Sequence, residues 1–270
     1  MSSVEEFRSK LKSMMGGSGD SNSSSKLKKE TYIIPEEFKG HYSGKWGECD
    51  YDTRMYEVIG SKYLKKYLHY KTSCTIPPVM PEGYTSCYNM FCGCERLTSL
   101  DLSNFDTSEV TDMCGMFDGC LNLISLDLSR CDTSKVTYMF RMFYNCNSLT
   151  SLNLSNFDTS CVTSMSDMFT GCKSLTLLDL SNFDTSRITS MSEMFHGCKS
   201  LTLLDLSSFD TSRVTDMSWM FEECSSLTTL DLSNFDTSEV AYMFDMFHGC
   251  KSLTPECKSK LEAKGFIVKI

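Results

Sequence analysis

A Met-Phe pair recurs at Met90, Met116, Met142, Met168, Met194, Met220 and Met246, at a constant interval of 26 residues with no insertion. No other feature constrains the fold as tightly. A copy this short cannot enclose a core of its own, so each must bury its apolar side against the copies before and after it. The repeated part of the chain is therefore expected to be a solenoid, a column of stacked coils sharing one elongated core.

One copy divides into two halves. Leu97, Leu100, Leu102 and Phe105 follow an L-x-x-L-x-L spacing. Leu100 and Leu102 are two apart, so both point inward from a short strand while Asp101 points out. Asp106-Thr107-Ser108 supplies turn chemistry, because these short side chains bond nearby backbone amides. Val110, Met113, Met116, Phe117 and Cys120 then fit the inner face of a short helix or 3₁₀ segment. Gly119 and its counterparts Asn145, Gly171, Gly197 and Gly249 suit a left-handed helix end, a pattern from which Glu223 departs.

The order C-x-x-L-x-x-L-x-L-S-x-F-D-T-S-x-V-T-x-M-x-x-M-F-x-x resembles the BspA-like class of bacterial leucine-rich repeats. The 26-residue version occurs in surface proteins of mycoplasmas and gut Firmicutes, and in some phage and protist proteins. The likeness runs from about Tyr84 to Leu253. It implies an α/β repeat fold: a right-handed leucine-rich-repeat solenoid with short parallel strands on one face and short helices on the other, capped at both ends. It also implies non-catalytic binding, and it brings no fixed binding residues with it.

Around the array the chain divides by composition. Residues 1–15 set Val4, Phe7, Leu11 and Met14 on one side of a short amphipathic helix, and 16–29 contain the flexible-linker tract GGSGDSNSSS. A helix tethered in this way either docks on a larger assembly or frays. Residues 30–83 read as an N-terminal cap, with Tyr32-Ile33-Ile34 as a strand and Tyr56 to Tyr70 as a helix rich in Lys and Tyr. That helix is either a packed and solvated face or a nucleic-acid surface. Residues 84–253 form the solenoid, with seven helical halves and six complete strands. Residues 254–270 are expected to close it: a helix through Lys264, a stop at Gly265, and a strand Phe266-Ile267-Val268 on the last edge.

The net charge of -9 is unevenly placed, for residues 84–253 hold 22 acidic and 9 basic groups. An acidic rod argues against nonspecific nucleic-acid binding and suits a basic partner or cations. The bland alternative is that Asp and Ser only keep a repeat surface soluble. No window reaches the ~18 apolar residues of a membrane span, and residues 1–15 lack the apolar run of a secretory signal. Of 15 cysteines, seven (Cys94, Cys120, Cys146, Cys172, Cys198, Cys224, Cys250) occupy one repeat position. Parallel side chains entering a core have the wrong relative direction for disulfides. Buried thiols acting as small apolar residues are expected instead. Reduced cysteines favour cytoplasmic residence or assembly into a virion, whereas the resemblance points to a microbial surface.

No catalytic constellation, cofactor or metal site is expected. His41, His69, His196 and His248 lack metal spacing and a paired nucleophile. Cys74, Cys87, Cys92 and Cys94 offer a zinc-like set, but Cys87 and Cys94 fall at inward positions. The Asp-x-Ser-x-x-Asp pattern lacks the glycine and terminal Glu of a calcium loop. Two surfaces are candidates for a protein partner. On the strand face, Asp101, Asp127, Asn153, Asp179, Asp205 and Asp231 form an outward row beside Ser99, Ser125, Ser151, Leu177, Leu203 and Thr229. Like charges so close call for solvent, cations or a basic ligand. On the helical side the copies differ, with Tyr138, Phe140, Arg141 and Tyr144 in one, Trp219 in another, and Tyr242, Phe244 and His248 in the last. Exposed aromatics mark contact surfaces, although some of these would pack on the next coil. The strand face is favoured, being the commoner partner surface of leucine-rich repeats. The expected function is a non-catalytic protein–protein interaction or adhesion module. The alternative is a structural or host-recognition component of a bacteriophage particle.

Overall fold

The computed structural model describes residues 85–102 and 105–270, together with the backbone of 73–75. The helix expected at 1–15, the linker at 16–29, and the cap at 30–83 apart from that strand lie outside the described residues. Four parallel three-residue strands form one sheet in chain order: β1 (Ser73–Thr75), β2 (Ser99–Asp101), β3 (Ser125–Asp127) and β4 (Ser151–Asn153). Each advances by one repeat, Ser73 opposite Ser99 and Ser125 opposite Ser151. β1 thus lies ahead of the Met-Phe array and covers the edge of β2. Six strands are expected from residue 99 onward. The described residues form β2 to β4, and in the later coils only the bridge between Leu203 and Thr229 remains on this side.

The other side of each coil carries the registry, and it is not helical. In a helix every amide would bond within its own segment. Here the amides alternate. Those of Cys87, Asn89, Phe91 and Gly93 donate to the carbonyls of Asp112, Cys114, Met116 and Asp118 in the next coil, at 2.6–2.9 Å. Those of Met90, Cys92 and Cys94 donate back three residues, closing successive turns. The inward set Val110, Met113, Met116, Phe117 and Cys120 is buried as its spacing demands. That spacing reports four-residue turns rather than 3.6-residue helix. Two residues per coil take positive φ, as the third position of a type II turn requires. The first column is Asn89, Gly115, Arg141, Asp167, Glu193, Trp219 and Asp245, with φ of 45–60°. The second runs from Gly93 to Gly249 and includes Asn145 and Glu223.

The core repeats with the coils. Phe91, Phe117, Phe143, Phe169, Phe195, Phe221 and Phe247 stack in a column, centroids 5.4–5.8 Å apart and nearly parallel. The cysteine column lies beside it. Cys120, Cys146, Cys172, Cys198, Cys224 and Cys250 remain buried thiols. Each Sγ–H donates to the Phe carbonyl of the previous coil, at 3.0–3.2 Å. Buried Thr107, Thr133, Thr159, Thr185 and Thr211 do the same in the opposite direction, each hydroxyl donating to an Asp carbonyl in the following coil at 2.8–2.9 Å. Burying these polar groups is tolerated because every one is bonded.

The C-terminal end closes as expected in outline. Helix α1 (Pro255–Ala263) is capped by Thr254, whose side chain accepts from the Cys257 amide. It covers the last coil directly, for Cys257 Sγ lies 3.3 Å from the Leu230 amide and 3.4 Å from its carbonyl. The closing strand at 266–268 does not form. Gly265, at φ +99°, turns the chain so that Phe266 enters the core edge-on to Phe247, 5.9 Å away. With α1 already on the edge, no strand is needed there.

Candidate functional site

The strand row faces solvent as predicted, but its carboxylates also have structural work. The Oδ1 atoms of Asp127, Asn153, Asp179, Asp205 and Asp231 accept from the amide two residues on, at 2.9–3.1 Å. These bonds hold the turn that leaves each strand. They also keep the Asp179, Asp205 and Asp231 carboxyls below the usual carboxylate range. Asp179 and Asp231 push Asp205 back up, and the Ser207 bonds outweigh them. The like charges are therefore compensated by the chain's own backbone. Beside them Leu177 and Leu203 lie open to solvent, 68% and 54% exposed.

The side expected to be helical holds the second candidate set, on turns. Tyr138 and Phe140 are exposed and Tyr144 is half-buried. The Arg141 guanidinium lies 4.0 Å from the Tyr144 centroid and 5.5 Å from that of Phe140. Its Nε is 3.6 Å from Asp167. Burial, then Glu193, raise the Asp167 carboxyl's pKa, with Arg141 opposing. Farther along, Trp219, Tyr242 and Phe244 gather, with ring centroids 6.0–6.2 Å apart. Between the two groups the floor is small and polar, with the Ser166 and Ser190 hydroxyls 2.7 Å apart. Glu222 sits between His196 at 3.2 Å and His248 at 3.1 Å. The sequence reading gathers these aromatics but misses the left-handed column that projects Arg141 and Trp219. Asn89 and Gly115 at that position were its only signal.

Among the described residues no cluster of three His, Cys, Asp or Glu side chains is placed to hold a metal ion. No helix among them is long and apolar enough to cross a membrane.

The family described as Mycoplasma protein of unknown function, DUF285, matches residues 85–178 and 172–262, together well over half of the chain. The chain belongs to this family. As a DUF285 protein it carries the BspA-like repeat anticipated from its motif. A solved leucine-rich-repeat protein of T. pallidum has a similar fold, with a TM-score of 0.51 over 73% of this chain and 85% of that one, at 21% identity. The DUF285 coils thus stack as a leucine-rich-repeat solenoid. No curated protein sequence matches the chain.

Proposed function

We propose that this chain is a non-catalytic protein-interaction or adhesion module, and that its strand face holds a basic segment of a partner. The observation that carries the reading is the pair Leu177 and Leu203. They stand in the strand row where the other coils carry Ser99, Ser125, Ser151 and Thr229, and both are exposed. Asp179 and Asp205 follow two residues on. Adjacent exposed leucines framed by carboxylates fit an apolar anchor flanked by basic residues. The rest of the acidic row adds attraction that salt screens beyond about 8–10 Å. The BspA-like resemblance supports a microbial surface as the setting.

The test uses a partner recovered by pull-down. Leu177→Ser with Leu203→Ser, and separately Asp179→Ala with Asp205→Ala, are expected to weaken its binding at least tenfold. The loss in the aspartate pair should shrink at high salt. Tyr138→Ala with Tyr144→Ala should leave binding intact. Full affinity in both strand-face pairs would refute the strand-face assignment.

A further inference from the structure

Two aromatic platforms stand on the turn side, and the chain itself shows what one of them does. Arg141 lies against Tyr144 and Phe140 with the Asp167 carboxylate beside it. At the second platform Trp219 takes the repeat position of Arg141, and Phe244 and Tyr242 those of Phe140 and Tyr138, so rings stand where the first platform holds its arginine. Trp219 and Phe244 have centroids 6.2 Å apart, and Tyr242 and Phe244 are 6.0 Å apart, with rings tilted by 34–35°. The three are 37%, 55% and 56% exposed in the order Trp219, Tyr242, Phe244. Among the described residues no cation lies over them.

The two turn segments that carry this platform are acidic. Residues 214–224 and 240–250 hold Asp216, Glu222, Glu223 and Asp245 and no Lys or Arg. Glu222 is engaged by His196 and His248, and Glu223 by Lys199 at 3.5 Å. Asp216 is bridged through its backbone to Tyr242 in the next coil, and its Oδ1 accepts from the Ser218 amide at 2.9 Å; Asp245 follows Phe244 in the chain and is exposed. The platform is fixed by backbone, since the Met217 and Trp219 amides donate to the Tyr242 and Phe244 carbonyls at 2.9 and 2.8 Å. Trp219 itself sits at φ +57°, where an earlier coil has Gly115.

We propose that Trp219, Tyr242 and Phe244, with Asp216 and Asp245, form a recognition site for an arginine on a basic peptide segment of a partner protein. The proposal rests on the interaction-module reading and uses a different face from the strand row. A guanidinium offers a flat, weakly hydrated surface to the rings and N–H edges to the carboxylates. A lysine ammonium is a poorer fit, being a compact and strongly hydrated point charge.

The test uses the full chain with Trp46→Phe, which leaves Trp219 as its one indole. A capped arginine-glycine hexapeptide is titrated at about 0.15 M salt, and the same peptide with citrulline for arginine serves as the neutral control. The arginine peptide should change Trp219 fluorescence saturably and the citrulline peptide should not. Its Kd should rise at least tenfold in Tyr242→Ala with Phe244→Ala, and again in Asp216→Asn with Asp245→Asn, each variant keeping its cooperative melt. Asp179→Asn with Asp205→Asn should bind like the parent. An equal response to the citrulline peptide or to chitohexaose would overturn the proposal, as would unchanged affinity in both platform variants. If affinity falls only in the strand-face variant, the arginine site is refuted while the interaction-module reading stands.

Discussion

At the scale of single residues, the spacing between coils decides what each position tolerates. Gly171 has φ +75°, and a Cβ there would lie within 3.3 Å of the Asn145 Cα, with the Asn145 side-chain amide in direct collision. At Gly119, φ +72°, the nearest atom is the Gly93 Cα at 3.5 Å. Gly119→Ala should therefore lose about 1–2 kcal/mol, the left-handed penalty alone, and Gly171→Ala should lose measurably more in urea titration. Equal losses would show that coil contact at this column is irrelevant. Cys172 makes a second case. Burial pushes its thiol up to about 12 from an ordinary 9.0. Its contribution is fully present below about pH 9, then lost as pH rises through about 12, because the unfolded chain ionises first. Cys172→Ala should cost about 1 kcal/mol at pH 8; with a slope of roughly 1.4 kcal/mol per pH unit above pH 9, that cost should vanish by about pH 10 and reverse sign beyond it. A pH-independent difference would contradict the buried, bonded thiol.

At the scale of elements, the C-terminal closure depends on α1 rather than on a strand. Cys257 meets both polar groups of Leu230, and Leu261 and Phe266 are buried under the last coil. Deleting residues 254–270 should uncover that edge and cause self-association, seen as a larger species in sedimentation. A stable monomer would show that the tail is no cap. The same elements show what was legible beforehand. Pro255 and Gly265 announce a helix start and its stop, because their chemistry is local. The inward residues of each coil were legible too, since burial alone sets them. Their backbone was misread because Met113, Met116, Phe117 and Cys120 fall at spacings that a helix and a run of four-residue turns share. What separates the two is where the amides go, and coil-to-coil bonding leaves no mark within one repeat. On the candidate site, the aromatics stood out by differing between copies. The engagement of the Asp row by the amides of Ser181 and Ser207 needed the turn geometry.

At the scale of the whole molecule, the chain is a rod of coils coupled to their nearest neighbours, with backbone, thiol and threonine bonds all running from coil to coil. Such a rod opens from its ends, and the middle is lost last. Its long faces stay fixed while any one coil side chain changes, which is what lets one face keep a uniform acidic row and the other vary. The measurement that tests this most directly is site-resolved thiol labelling of the native protein, read by mass spectrometry as a function of time. Half-exposed Cys161 should label fast. The column from Cys120 to Cys250 should label only through opening, Cys250 and Cys120 ahead of Cys146 and Cys224, and Cys172 slowest. Labelling of Cys172 as fast as Cys161, or one common rate for the whole column, would contradict the account.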